Sequence, residues 1–285
     1  MKPVRRRIFE AAAVVALAFA AVLPAWAQSA SSPPFRIGVL PNVSARIILT
    51  QYQPMRQYFE RVLGQAVEIQ TAPDFKTYYQ RTVAGEYDVA VIAANLGRLA
   101  EKDHTLAPIA IYDPPIPGLL VTTKSRPVKT VEELRGKKLA MANPQSLVVL
   151  RGLGYLKERG LEAGRDFATT VTANEDSLSQ LLASNEAPLA MMSMGEFRLL
   201  REAIRNELEI FAEFARVPGF LVMLGSKVPA TTGDKIKAAF VDFGENAEGK
   251  AFFEATGFRA IRAPTAAELD SLDALLADTR RFMGS

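Results

Sequence analysis

Short apolar runs alternate with longer amphipathic stretches along most of this 285-residue chain. The short runs have the length and β-branched content of strands, and the stretches between them have helical spacing. The predicted strands span residues 36–40, 66–71, 89–93, 107–112, 119–123, 138–141, 169–172, 189–192 and 209–214. The predicted helices span residues 52–63, 75–84, 148–159, 177–182 and 196–207. Such alternation is typical of βαβ units, so it predicts an α/β fold with mostly parallel sheets flanked by helices.

The first 27 residues have the three parts of a secretory signal peptide. Lys2 and residues 5–7 form a basic head, residues 11–23 form an apolar run, and Ala25-Trp26-Ala27 is a small-x-small cleavage signal. The apolar run is shorter than the roughly 20 residues that span a bilayer. We therefore expect cleavage after Ala27, export to the periplasm, and a disordered linker over residues 28–34.

Removing this segment changes the charge of the chain. Residues 1–27 hold four basic side chains and one acidic one, which accounts for the whole net charge of +3. The neutral remainder lacks the basic surface that binds nucleic acid. Cysteine is absent and His104 is the single histidine, which excludes the common zinc sites and Cys/His dyads. No nucleophile-elbow, P-loop or dinucleotide motif occurs. We therefore expect no metal, no cofactor and no catalysis.

Two segments rich in proline and glycine interrupt the alternation at residues 112–118 and 216–219. If both cross between lobes, residues 35–115 and 219–285 form lobe 1, and residues 116–218 form an inserted lobe 2. Two ordinary surface turns would explain the same composition. The amphipathic stretch 266–282 is predicted to be a helix that packs on lobe 1. A cleft between two lobes is the usual place for a small ligand.

Three segments carry a family resemblance: FRIGVLP at 35–41, GEYDVA at 85–90 and VKTVEELRGKKLA at 128–140. They resemble the phosphate/phosphite/phosphonate-binding proteins of ABC transporters. The resemblance implies a type II periplasmic binding fold, with two α/β lobes and two crossing strands at the hinge. It implies a receptor that closes on a small molecule and delivers it to an ABC permease in the inner membrane. We expect a monomer. A ligand-sensing partner of a membrane sensor kinase is the alternative, and an exported enzyme is a third class.

Four loops follow predicted strands and hold candidate ligand donors: residues 41–46, 94–98, 143–146 and 172–177. In open α/β sheets such loops face the crevice, and a helix that starts there favours an anion. Helix capping by itself would explain each polar residue singly. The candidate ligand-binding residues are Asn42, Ser44, Asn95, Asn143, Ser146 and Asn174 from these loops, with Tyr112 beside the first crossing.

The third loop departs from the family pattern. In the family it resembles Asp-Pro-x-Ser-Thr-Ser-Gly, whereas here only Pro144 and Ser146 match, and residues 147–149 are Leu-Val-Val. Leucine and valine donate no side-chain hydrogen bonds. The sequence therefore leaves open a phosphonate-like oxyanion or another small organic ligand. Arg216 either binds a ligand carboxylate or pairs with Asp113 across the two crossings.

Overall fold

The computed structural model describes residues 33–141, 143–172 and 175–284, without the side chains of residues 175 and 176. The predicted signal peptide, most of the predicted linker and the candidate residue Asn174 lie outside the described residues. Within the described ranges, no helix combines the length and the apolar character that a bilayer span requires.

The described strands form two sheets. The large sheet has the order β11-β4-β10-β3-β1-β2, and the small sheet has the order β7-β6-β8-β5-β9. The strands of the large sheet are β1 (Phe35–Val39), β2 (Val67–Gln70), β3 (Val89–Ile92), β4 (Ala107–Asp113), β10 (Leu221–Leu224) and β11 (Ala260–Arg262). Those of the small sheet are β5 (Ile116–Thr123), β6 (Lys138–Met141), β7 (Ala168–Val171), β8 (Leu189–Ser193) and β9 (Leu208–Val217).

Helices connect these strands and cover the sheets. They are α1 (Ala45–Gln51), α2 (Gln53–Leu63), α3 (Phe75–Val83), α4 (Ala94–His104), α5 (Leu147–Lys157), α6 (Glu175–Ala183), α7 (Met194–Leu199), α8 (Glu202–Glu207), α9 (Ala230–Asp242), α10 (Ala247–Thr256), α11 (Ala266–Ser271) and α12 (Leu276–Met283). Short 3₁₀ turns lie at Val131–Leu134, Phe243–Glu245 and Asp273–Leu275. Four buried apolar clusters hold residues of these strands and helices, so the predicted fold of two sheets flanked by helices is confirmed.

Both sheets are mixed. Strand β1 is parallel to β2 and β3, and β6 is parallel to β7 and β8. The remaining pairs, which join β10 to β3 and β4, β11 to β4, and β5 to β8 and β9, are antiparallel. The prediction of mostly parallel sheets therefore holds for the βαβ part of each sheet and is wrong for the rest. Antiparallel pairs arise where the chain passes from one sheet to the other and returns.

Two short segments join the sheets. The chain leaves the large sheet at Asp113 and enters the small sheet at Ile116, then leaves it at Val217 and re-enters the large sheet at Leu221. These are the segments that the proline and glycine pattern indicated. The two segments lie in close contact at Gly219. A Cβ atom at this position would overlap the carbonyl oxygen of Tyr112. The lobe boundaries at 115/116 and 218/219 stay a prediction.

Several elements differ from the sequence prediction. The pattern missed α1, α4, α9, α10, β10 and β11, and the predicted helix 196–207 is two helices, α7 and α8. It breaks at Leu200, which has an extended backbone and a buried side chain. The stretch 266–282 is helical, in three short pieces rather than one. Its last piece, α12, packs on α4 beside the large sheet.

Candidate functional site

A cavity of about 640 Å³ lies between the two sheets. Its walls come from the loops after β1, β3, β6 and β8, from both crossing segments, and from the turn between α10 and β11. Strands β1 and β3 belong to the large sheet, and β6 and β8 belong to the small one. The cavity therefore occupies the carboxyl ends of strands from both sheets, which is where ligands bind in open α/β folds.

The start of α5 supplies polar groups to this cavity from the small sheet. Ser146 is the N-cap of α5, and its Oγ accepts a hydrogen bond from the backbone N–H of Val149 at 3.2 Å. Asn143 donates from Nδ2 to the carbonyl oxygen of Asn42 at 3.4 Å. All three polar residues, Asn42, Asn143 and Ser146, line the cavity. The first N–H groups of the helix have no partner within it, so this end favours an anion.

Apolar side chains close the same end of the cavity. Leu147 and Val148 line it and are only 4% and 7% exposed. They belong to one buried cluster with Leu40 and Phe75, which are residues on the large-sheet side. The leucine and valine that replace the family's hydroxyls therefore form part of an apolar contact between the two sheets.

Three of the predicted site residues, Ser44, Asn95 and Tyr112, do not line this cavity. Ser44 is exposed at the start of α1, and its side chain makes no capping hydrogen bond. Asn95 is buried and donates from Nδ2 to Thr279 Oγ1 at 3.1 Å. Tyr112 is buried in an aromatic cluster with Phe220, Phe252 and Phe258. Asn174 lies outside the described residues.

The segment 94–98 is the beginning of a helix rather than a loop. Helix α4 starts at Ala94, directly after β3, because its Ala and Leu side chains pack into the core. Ala93 and Ala94 line the cavity, whereas Arg98 contacts the C-terminal segment. Its buried guanidinium pairs with Asp273 at 2.6 Å, Glu101 at 2.7 Å and Asp270 at 3.0 Å. The hydrogen bond from Arg98 lowers the pKa of Asp273.

The second crossing places Arg216 at the cavity, but its partner differs from the one considered above. Arg216 Nε pairs with Glu213 Oε1 at 2.7 Å, and both residues line the cavity. Asp113 pairs with Arg262 at 3.2 Å instead. The predicted alternative of an Arg216–Asp113 pair is therefore wrong. It fails because β11 forms an edge of the large sheet beside β4 and brings Arg262 to Asp113.

Sequence reasoning missed two parts of the wall. One is the turn after β8, where Ser193 caps α7 and Glu196 completes the capping box by accepting from Ser193 N at 2.6 Å. The Ser-x-x-Glu spacing was a readable signal for that turn. The other part is the end of α10 with the turn that leads to β11, which together provide residues 254–259. Only the long-range pairing of β11 with β4 brings it to the cavity.

Tyr52 is the tyrosine that lines the cavity, among the described residues. Its side chain is buried, it packs edge-on against Phe252, and burial raises the pKa of its phenol. It therefore stays protonated at neutral pH. No group of three or more histidine, cysteine, aspartate or glutamate side chains that could hold a metal ion occurs in the described part of the chain.

Residues 37–269 match the family model described as the phosphonate ABC transporter periplasmic substrate-binding protein. The chain belongs to this family. A relative within it, the phosphonates-binding periplasmic protein of Escherichia coli K12, is 23% identical over 247 residues, which cover 81% of this chain and 72% of the relative. The family is one of transporter binding components that work in the periplasm, so a small-molecule ligand and a permease are its partners.

Solved structures share the fold of this phosphonate-transporter family member. The binding component of a phosphonate ABC transporter from Pseudomonas aeruginosa matches with a TM-score of 0.72 and 16% identity, over 88% of this chain and 98% of that one. A Prochlorococcus marinus protein in complex with methylphosphonate matches with a TM-score of 0.75 and 10% identity, with the same coverage. The aliphatic sulphonate binding protein of Escherichia coli matches with a TM-score of 0.62 and 13% identity, over 89% of this chain and 95% of that one.

Proposed function

We propose that this protein binds an organic phosphonate in the cavity between its two sheets and delivers it to an ABC permease. The observation that carries this proposal is the cavity of about 640 Å³ at the carboxyl ends of strands from both sheets, into which α5 directs its N-terminus. The family supplies the transport role. Relatives named for binding phosphonates, one of them in complex with methylphosphonate, support the ligand class.

In this proposal the oxyanion lies at the start of α5. Asn42, Asn143 and Ser146 provide amide and hydroxyl groups there, and the backbone N–H groups of Leu147 and Val148 complete the donor set. Backbone donors at a helix start suit a negative charge without a charged side chain. The substituent on phosphorus occupies the apolar part of the cavity.

The two lobes close over the ligand by rotation at the two crossing segments. Lobe 1 comprises residues 35–115 and 219–285, and lobe 2 comprises residues 116–218. Closure of this kind needs a ligand that contacts both lobes, and the cavity walls come from both sheets. The mature chain begins at Gln28 after cleavage behind Ala27, acts as a monomer, and leaves the ligand chemically unchanged.

A thermal-shift and calorimetric screen of the mature chain tests the proposal. The probes are methylphosphonate, propylphosphonate, inorganic phosphate and propanesulfonate, each at the same ionic strength. We expect the phosphonates to raise the unfolding midpoint, since a ligand at a hundredfold excess over its Kd stabilises the folded state by about 2.7 kcal/mol. Phosphorus NMR should recover the phosphonate unchanged.

Two outcomes contradict the proposal. If no phosphonate shifts the midpoint, the ligand class is wrong; if only propanesulfonate does, the protein is a sulfonate receptor with the same architecture. The variant Ser44→Ala serves as a matched control, because Ser44 is exposed and outside the cavity. It should retain the affinity of the unmodified chain.

A further inference from the structure

Six charged side chains line the cavity, and they differ in their hydrogen-bond and ion-pair partners. Glu196 accepts the backbone N–H of Ser193, and Glu213 pairs with Arg216. Glu254, Arg198 and Arg259 have no ion pair with any of the described residues, and Glu254 is exposed. The three arginines and three glutamates of the lining balance in number, but Arg198 and Arg259 lack a described ion-pair partner, whereas Arg216 has one in Glu213.

Arg198 and Arg259, hereafter the arginine pair, come from opposite sides of the cavity. Arg198 belongs to α7, which follows strand β8 of the small sheet. Arg259 directly precedes β11 of the large sheet, and its backbone N–H donates to the carbonyl oxygen of Asp113 at 2.7 Å. The two side chains are therefore held by different sheets.

Gly257 brings the pair to one part of the wall. The guanidinium of Arg198 lies over Gly257, where any Cβ would overlap its Nη1. Gly257 is two residues before Arg259, so their Cα atoms are separated by at most about 7 Å. Within the described residues, the Arg198 guanidinium donates no hydrogen bond. It reaches from the small-sheet side to Gly257 on the large-sheet side, and none of the described residues accepts a hydrogen bond from it.

An anion that contacts both Arg198 and Arg259 would give each guanidinium the ion-pair partner that it lacks among the described residues. The start of α5 offers a separate set of neutral donors to an oxyanion, in the buried part of the cavity lined by Leu147 and Val148. The cavity therefore has two regions that suit negative charge, a buried one at the start of α5 and an exposed one at the arginine pair. An ammonium group on the ligand would find Glu196 and Glu213 already engaged, and its remaining partner in the lining, Glu254, is opposed by two unpaired guanidinium groups.

We infer that the ligand is a phosphonate that carries a second acidic group, and that the arginine pair binds this group. The inference deepens the proposed function and rests on it. The second anion contacts Arg198 from the small sheet and Arg259 from the large sheet, so it joins the two sides of the cavity. The same arrangement selects against aminoalkylphosphonates of equal length.

Three probes of matched length test the inference: 3-phosphonopropionate, propylphosphonate and 2-aminoethylphosphonate, which end in carboxylate, methyl and ammonium groups. Calorimetry on the mature chain at one pH and ionic strength gives the three Kd values. We expect 3-phosphonopropionate to bind at least about tenfold more tightly than propylphosphonate, as charge-assisted hydrogen bonds of this kind predict. 2-Aminoethylphosphonate should bind most weakly.

Variants assign the effect to the arginine pair. Arg198→Gln and Arg259→Gln should each reduce the preference for 3-phosphonopropionate over propylphosphonate, and the double variant should abolish it, while the Kd for propylphosphonate changes by a smaller factor. Arg216→Gln is the matched control, since Arg216 lines the same cavity but is paired with Glu213. It should leave most of the preference in place. All three arginines are exposed, so these variants should fold.

The outcomes separate this inference from the proposed function. Three results would overturn the inference and leave phosphonate binding intact. They are equal Kd values for 3-phosphonopropionate and propylphosphonate, tighter binding of 2-aminoethylphosphonate than of 3-phosphonopropionate, and a preference that survives the double variant. Absence of binding by all three probes would instead remove the proposed function.

Discussion

The starts of α4 and α5 look alike in sequence but have different surroundings. Each helix follows a parallel strand, and each has an asparagine close to its start, Asn95 in α4 and Asn143 just before α5. Asn143 and Ser146 line the cavity, whereas Asn95 and Arg98 are buried against the C-terminal segment. What covers a helix decides whether its first turn stabilises the fold or contacts a ligand.

The difference comes from the last residues of the chain. Thr279 accepts the hydrogen bond of Asn95, and Asp270 and Asp273 pair with Arg98, so residues from α11 to α12 cover the side of α4 that bears these polar groups. Gln145 makes the one described hydrogen bond from the α5 loop to this segment, to the carbonyl oxygen of Phe282 at 3.5 Å. The start of α5 therefore keeps its polar groups available to the cavity.

The largest effect is expected at the α4 side. Arg98→Met removes a buried guanidinium from Asp273, Glu101 and Asp270 and leaves three carboxylates close together. We expect the free energy of unfolding to fall by about 2 kcal/mol, less than for a fully buried pair because the aspartates are partly exposed. Ligand affinity should not change. Denaturant titration and calorimetry measure the two quantities, and a large loss of affinity would break the comparison.

Removing the α5 cap should act on affinity. Ser146→Ala deletes the hydroxyl that caps α5 and lines the cavity. We expect phosphonate affinity to fall about tenfold, because a hydrogen bond to a charged group contributes about that much. We also expect the free energy of unfolding to fall by about 1 kcal/mol, because the variant lacks the N-cap of α5. A loss of stability with unchanged affinity would mean that Ser146 is only a cap. Ser44→Ala is the control with neither effect.

Acid should weaken the α4 side selectively. Arg98 lowers the pKa of Asp273 below its ordinary value of 3.8. A carboxyl group with a lowered pKa in the folded state stabilises the fold above its ordinary pKa, and the stabilisation is lost as the pH falls below that value. The unfolding midpoint of the unmodified chain should therefore drop more steeply below about pH 4 than that of Arg98→Met. Parallel curves would contradict the assignment.

The smallest effect is expected at Asn143. Its hydrogen bond to Asn42 is long, at 3.4 Å, so Asn143→Ala should lower phosphonate affinity only about threefold. Gln145→Ala is the matched control. The Gln145 side chain also makes a long hydrogen bond to the large-sheet side, to the carbonyl oxygen of Phe282, but it does not line the cavity. Equal losses in both variants would show that Asn143 acts through contact between the sheets and not through the ligand.

Local pattern predicted strands β1 to β9 and both crossings between the sheets. The β-branched run at 89–93 and the prolines at 114, 115 and 117 gave direct signals. Helix α4 was missed because Asn95 and Gly97 are typical of loops, and only burial against the core makes that segment helical. Strand β10 was missed because its four residues follow the second crossing directly, and its two partner strands come from earlier in the chain.

The site was predictable only in part. Asn42, Asn143 and Ser146 follow strands in sequence, and strand order alone places such residues at the crevice. Ser44 and Asn95 fit the same local rule, and Tyr112 was chosen for its place beside the first crossing, yet their surroundings place all three outside the cavity. Arg198 and Arg259 lie far apart in sequence, and neither has a motif around it. Their placement in one cavity depends on the antiparallel addition of β11 to β4, which local pattern does not encode.

The pairing of Ile116 with Val217 has a consequence for protein engineering. Antiparallel partners have Cα atoms about 5 Å apart, so the segment that carries the small sheet starts and finishes at neighbouring points. A gene fragment encoding residues 116–217 therefore has closely spaced termini, a favourable property for independent expression or circular permutation. Joining the flanking pieces, 35–115 and 218–285, would need only a short synthetic linker. Exchanging the fragment 116–217 between homologues would give chimeric receptors.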